Sequence, residues 1–157
     1  MGYKINLQIA SKNKNIPKKD LLKRWAITTL QPFKITAEVT LRIVDEEESA
    51  LLNKTYRNKE ASTNVLSFPF EGPAELKLKL LGDMVICAPV VEKEATEQGK
   101  ELMSHWAHMV VHGLLHLLGY DHIKAVDAGK METEEKKLLK ELGFSDPYCE
   151  ELISHGG

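Results

Sequence analysis

Apolar residues recur along this chain with two different periods, and the switches between them mark out its elements. Tyr3, Ile5, Leu7 and Ile9 alternate with Lys4, Asn6 and Gln8, the period-two pattern of a strand with one solvated face. Pro17 then opens a predicted helix through Gln31, with Leu21, Leu22, Trp25, Ile27 and Leu30 largely on one side and lysines on the other. Ile35, Ala37, Val39, Leu41 and Ile43 return to strict alternation, the clearest strand signal in the sequence. Asp45 followed by Glu48 predicts an N-capped second helix that carries Leu51, Leu52 and Tyr56 and delivers Arg57.

Beyond that helix the pattern changes. RNKEAST, from Arg57 to Thr63, has few apolar residues and reads as a functional loop. Val65, Leu66, Phe68 and Phe70 form a strand interrupted by Pro69, which suits a sheet edge or a bulge. EGPAELKLKL reads either as a short hairpin strand or as an exposed loop, whereas the continuous apolar run of LGDMVICA predicts a buried strand. Pro89 starts a third helix that Gly99 ends. Residues 101–118 form a strongly apolar helix, expected to pass through the middle of the domain. IKAVDAGK then reads as a loop and METEEKKLLKELG as an amphipathic helix closed by Gly143. Strands and helices alternate without a regular βαβ series, so the fold class is α+β, with a small mixed sheet of four or five strands packed with helices. With 157 residues, 43% hydrophobic and 28% charged, the chain is expected to be a single domain, 1–157, with its own core.

The candidate chemistry lies at the end of the apolar helix. His112 and His116 are four residues apart, so at about 100° per residue they project roughly 40° apart from one side of the helix and can share an ion. Gly119 can reverse the chain through a left-handed turn and return His122 to the open side of that ion. Three imidazoles leave a fourth position for water, the arrangement of a catalytic zinc. The metal site is therefore expected at the C-terminal end of a central helix, with zinc as the cofactor, one ion per chain, and other divalent transition metals as alternatives. The same order of His, His, Gly and His frames the metzincin proteases, where the residue after the first His is a Glu that serves as base. Here that residue is Gly113, and this helix turn is expected to pack close to the sheet or the substrate path. His105 and His108 are expected to pack or to support ligands. His155 falls in a polar tail, and Met131 is read as a core residue.

VHGLLHLLGYDH closely resembles the signature of the YbeY proteins, bacterial metal-dependent endoribonucleases of ribosomal RNA maturation. The resemblance continues through RIVDEEES, LNKTYRNKEASTNVLSFPFE, LGDMVIC and LGFSDPY. It implies a single-strand-specific endoribonuclease acting on 16S ribosomal RNA and in small-subunit quality control. The implied partners are single-stranded and ribosomal RNA and the small ribosomal subunit with its associated factors, in the cytoplasm. It also places Arg57 at the cleft, where a planar guanidinium could hold a phosphate through two hydrogen bonds and stabilise charge in the transition state. Asn64 stands where the family often has Asp, and an amide cannot act as a base at neutral pH. Asp83 and Asp121 are candidates for support of a ligand or of Arg57.

Charge and composition refine this picture. The net charge of −2 conceals an asymmetry, because residues 1–34 carry eight Lys and Arg against Asp20 alone. That basic surface could meet phosphates; from charge alone, a solvated lysine-rich face serves as well. Cys87 and Cys149 form no Cys-x-x-Cys pair and are expected to be reduced thiols. No apolar run of spanning length and no signal-peptide order occurs, which makes the cytosol the default and membrane association unexpected. Two alternatives remain: a metallohydrolase for peptides or small esters, which the missing Glu disfavours, and an assembly factor with a structural metal, which a fourth ligand such as His108 or Asp121 would favour.

Overall fold

The computed structural model describes residues 3–33, 37–57, 64–70, 80–118 and 125–144, with backbone alone for 56–57 and 125–128. The apolar run LGDMVIC lies inside the sheet, where both of its edges are paired. Strands β1 (Tyr3–Ile9), β2 (Ala37–Val44), β3 (Val65–Pro69) and β4 (Leu80–Cys87) form one four-stranded sheet in the order β1-β2-β4-β3. β1, β2 and β4 are parallel, and β3 runs antiparallel to β4 at the edge, where the missing N–H of Pro69 is tolerated. Gly82, with φ 141°, lies in β4 where an added Cβ would come within 2.4 Å of the Phe68 carbonyl oxygen. Only glycine allows the two strands to approach this closely.

Five helices among the described residues accompany the sheet: α1 (Lys19–Leu30), α2 (Glu46–Arg57), α3 (Ala88–Glu97), α4 (Leu102–Leu117) and α5 (Ala125–Glu141). Side-chain alternation divides the strands between two faces. On one face Val39, Leu41, Ile43, Met84 and Ile86 join Leu22 and Trp25 of α1 and Trp106, Val110 and Leu114 of α4 in the main core. On the other, Val44, Leu66, Val85 and Cys87 form a smaller cluster with Leu52 and Phe68. Burial there pushes the Cys87 thiol above its ordinary value, consistent with an inert reduced cysteine.

Several local expectations are met. α3 and α5 end as their glycines dictate: Gly99 (φ 64°) and Gly143 (φ 91°) are left-handed, and Lys100 N and Phe144 N donate back to Ala95 O at 2.8 Å and Leu139 O at 2.9 Å. Met131 is fully buried in the core. Other expectations need correcting. Asp45 does not pair with Glu48 as a capping box. Its carboxylate accepts from Ser11 Oγ and from Lys12 N, while Glu48 takes Nε and Nη2 of Arg42 at 2.5 and 2.9 Å. The full positive charge of Arg42, on the strand that leads into α2, outcompetes the local backbone N–H for Glu48. α5 also begins earlier than expected, since residues 125–130 are helical; Gly129 is exposed with nothing near its Cα, and one such glycine costs only about 1 kcal/mol. The segment 71–79, with its hairpin-or-loop alternatives, and His155 and Cys149 lie outside the described residues.

α4 approaches the sheet closely at Gly113. A Cβ there would meet Met84 Cε at 2.7 Å and Val65 Cγ1 at 3.1 Å, and the Gly113 carbonyl accepts from Ser67 Oγ at 3.2 Å. Overpacking at this contact should make Gly113→Ala cost about 1–3 kcal/mol in urea unfolding, despite the better helix propensity of alanine. The cost should shrink in a Met84→Ala background, and equal costs in both backgrounds would contradict the contact. Gly113→Glu should be less stable still and should not hydrolyse peptides.

Candidate metal centre

α4 is buried from His105 to Leu117 except at two positions, His112 and His116. A helix so apolar must bury nearly all of its surface, and its two half-exposed residues are imidazoles one turn apart. Their ring centroids are 4.7 Å apart, at 77° to one another, the shared side that the four-residue spacing predicts. His122, with Gly119 and Asp121, lies outside the described residues. Arg57 closes α2, and its side chain likewise lies outside them.

Two further imidazoles extend the row inward. His108 lies 6.0 Å from His112 and His105 lies 6.3 Å from His108, again edge to face. Each inner imidazole meets a carboxylate from a neighbouring helix. His105 Nε2 donates to Glu94 Oε1 of α3 at 3.0 Å. His108 Nε2 donates to Glu135 Oε2 of α5 at 2.6 Å, and His112 Nδ1 donates to Glu135 Oε1 at 3.0 Å. Glu135 itself is 0% exposed. Burial pushes the His108 imidazole below its ordinary value, outweighing the opposite pull of Glu135, so it is neutral at physiological pH. His105 and His108 are thus packed against carboxylates of the neighbouring helices, the first of the two roles expected of them.

Asn64 is bound into the same network. Its Nδ2 donates to both Glu94 oxygens at 3.1 and 3.3 Å, and its Oδ1 accepts from Val65 N at 2.7 Å. It thus ties the start of β3 to α3. Burial works to raise the Glu94 carboxyl, but hydrogen bonds from His105 and Asn64 outweigh it and hold the group below its ordinary value. Asp83 is elsewhere. Its neighbour Met84 packs under Gly113, so Asp83 belongs to the opposite sheet face, lining a cleft of about 440 Å³ with Gln8, Arg42, Glu48 and Phe68. Support of a ligand on α4 is therefore ruled out for it.

The donor chemistry fits a divalent transition metal, since neutral imidazoles and carboxylates suit zinc and its neighbours. Among the described residues His108, His112 and Glu135 offer three ligand-type atoms within 4.8 Å of one another. This set shares only His112 with the expected triad. Glu135 was not a sequence candidate, because METEEKK offers several glutamates in a row. Its signal was positional: it falls four residues after Met131 and three before Leu138, on the apolar face of its own helix.

A mixed sheet crossed by a helix with a carboxylate-backed row of imidazoles makes an α+β protein with a possible His/Glu metal site. A family model described as Endoribonuclease YbeY matches residues 6–143, and the chain belongs to that family of RNA-cleaving hydrolases. The chain is also similar to TM1509 from Thermotoga maritima, whose solution structure shares 26% identity, covers 90% of this chain and 97% of that chain, and superposes with a TM-score of 0.64.

Because the folded protein favours ionised Glu94, that group contributes stability that is fully present above the unfolded carboxylate value of about 4.3. The contribution is lost as pH falls through the lower folded value. Chelator-treated wild type should therefore lose stability more steeply than Glu94→Gln as pH falls from roughly 5 to 3, read from urea midpoints. Parallel curves would remove this role of the Glu94 network.

Proposed function

We propose that this chain is a zinc-dependent endoribonuclease specific for single-stranded RNA. It acts in the cytoplasm as a single catalytic domain, on 16S ribosomal RNA in small-subunit maturation and quality control, together with factors of that subunit. The observation that carries this reading is the partial exposure of His112 and His116 alone along the stretch of α4 from His105 to Leu117, which is otherwise buried. His112, His116 and His122 would hold the ion. When bound, such an ion polarises a phosphoryl oxygen and acidifies a water. His112 and His116 bind through one shared side of the helix, with His112 Nδ1 committed to Glu135. Arg57 would grip the phosphate through two hydrogen bonds and balance charge on its equatorial oxygens. Asn64 supplies no base.

RNA approach is supported by α1, which packs beside α4 on the same sheet face. Lys12, Lys14, Lys18, Lys19, Lys23 and Arg24 are all exposed there or in the preceding loop, a surface suited to phosphates. No helix among the described residues is long and apolar enough to cross a membrane. A second reading, an RNA-binding assembly factor with a structural metal, draws on the His108, His112 and Glu135 group, two of whose three members are buried, because a closed site without access to water would have no catalytic role.

Protein purified without an affinity tag should carry one divalent ion per chain by elemental analysis, and His116→Ala should lose it; His116→Ala with unchanged metal would favour the structural reading. Arg57→Lys should keep fold and metal while cleavage of a single-stranded ribosomal RNA fragment falls roughly 10²-fold. Its RNA affinity should fall far less. Replacing Lys19, Lys23 and Arg24 should do the reverse, weakening binding and flattening its salt dependence. Equal losses of binding and cleavage in Arg57→Lys would remove its catalytic role.

A further inference from the structure

We infer that Glu135 is a positioning residue of the metal centre: by accepting hydrogen bonds from His108 and His112 together, it holds His112 in the tautomer whose Nε2 faces the ion. The inference rests on the reading of His112 and His116 as metal ligands. It extends that reading to a residue of another helix that does not touch the ion.

The argument begins with the carboxylate. Glu135 is 0% exposed, and a carboxylate so placed is costly unless both oxygens are met by donors. Its oxygens lie 2.6 Å from His108 Nε2 and 3.0 Å from His112 Nδ1. An ionised carboxylate has only lone pairs to offer, so both facing nitrogens must carry hydrogen. Protonation of His112 at Nδ1 leaves Nε2 as its ligating nitrogen, on a ring whose centroid lies 4.7 Å from that of His116. The same bond fixes the rotation of the ring about its Cβ–Cγ axis.

Glu135 is itself held. Met131, Leu138 and Leu139, on the same helix, are fully buried in the main core, so the carboxylate cannot move aside without undocking α5. The bond to His108 provides a second anchor on α4, one turn from His112. The geometry of the ligand is therefore set by the packing of two helices, and ion binding should in turn stabilise the α4–α5 contact.

Two variants separate the roles. Glu135→Leu removes the acceptor while filling the space. Glu135→Gln keeps one acceptor: its amide oxygen can still serve His112, while its NH2 turns to His108 Nε2, which must then give up its hydrogen. Imidazole ¹⁵N spectra of metal-free protein at mildly alkaline pH read the tautomers, zinc affinity follows from competition with a chelator, and Co²⁺ absorption reports the ligand set. The wild type should show His112 protonated at Nδ1. Glu135→Leu should lose that preference and bind zinc roughly 10–100-fold more weakly, with an unchanged Co²⁺ spectrum. Glu135→Gln should recover most of the affinity, with His108 alone changing tautomer.

Unchanged zinc affinity and His112 tautomer in Glu135→Leu would overturn the positioning role and leave the histidine ligands standing. An altered Co²⁺ spectrum would make Glu135 a ligand and overturn it equally. If Glu135→Leu fails to fold, Glu135→Gln decides: retention of both original tautomers would show that Glu135 is not their acceptor. Wild-type protein that binds no zinc at all would instead defeat the metal reading, whatever the variants show.

Discussion

A helix buried on almost every side can carry imidazoles only if each one that enters the core finds a hydrogen-bond partner. α4 is such a helix, and the rest of the architecture answers this requirement. Glu94 from α3 meets His105, and Glu135 from α5 meets His108 and His112. The helices that flank α4 therefore supply its counter-groups as well as apolar surface. At Gly113 the absence of a side chain lets the histidine-bearing turn sit directly on Met84 and Val65, and this fixes how far His112 and His116 stand from the edge strand β3.

Function follows from where this arrangement stops. The inner imidazoles are enclosed and each is held through Nε2 by a carboxylate, while His112 and His116 form the boundary between core and solvent. A ligand set at such a boundary can be rigid on its inner side and reachable on its outer side, which hydrolysis by a metal centre demands. Membership of an endoribonuclease family identifies RNA as the molecule that approaches.

Much of this was legible in the residues. The alternation in 3–9 and 35–43, the continuous run at 81–88 and Pro69 gave the strands, their burial and the edge position of β3. The spacing of His112 and His116 gave the shared helix side, and Gly99 and Gly143 gave two helix ends. What escaped was long-range pairing of charge. Asp45 and Glu48 have the spacing of a cap, yet Ser11 and Lys12, brought in by strand pairing, hold the first, and Arg42 at the end of β2 holds the second. Glu135 lies on the apolar face of α5 with Met131 and Leu138, but local sequence does not state that this face meets the histidines of α4. Asp83 seemed close to the site in the chain, but a strand sends successive side chains to opposite faces, and Met84 took the inner one.

The most direct test is a single titration. Zinc is added back to metal-free protein, and bound metal and the initial rate of cleavage of a single-stranded RNA fragment are measured in the same samples. A metal centre built on the outer imidazoles of α4 requires a rate that rises in proportion to occupancy and levels off at one ion per chain. A metal-free protein that cuts at the full rate, or a rate indifferent to occupancy while the ion binds, would contradict it.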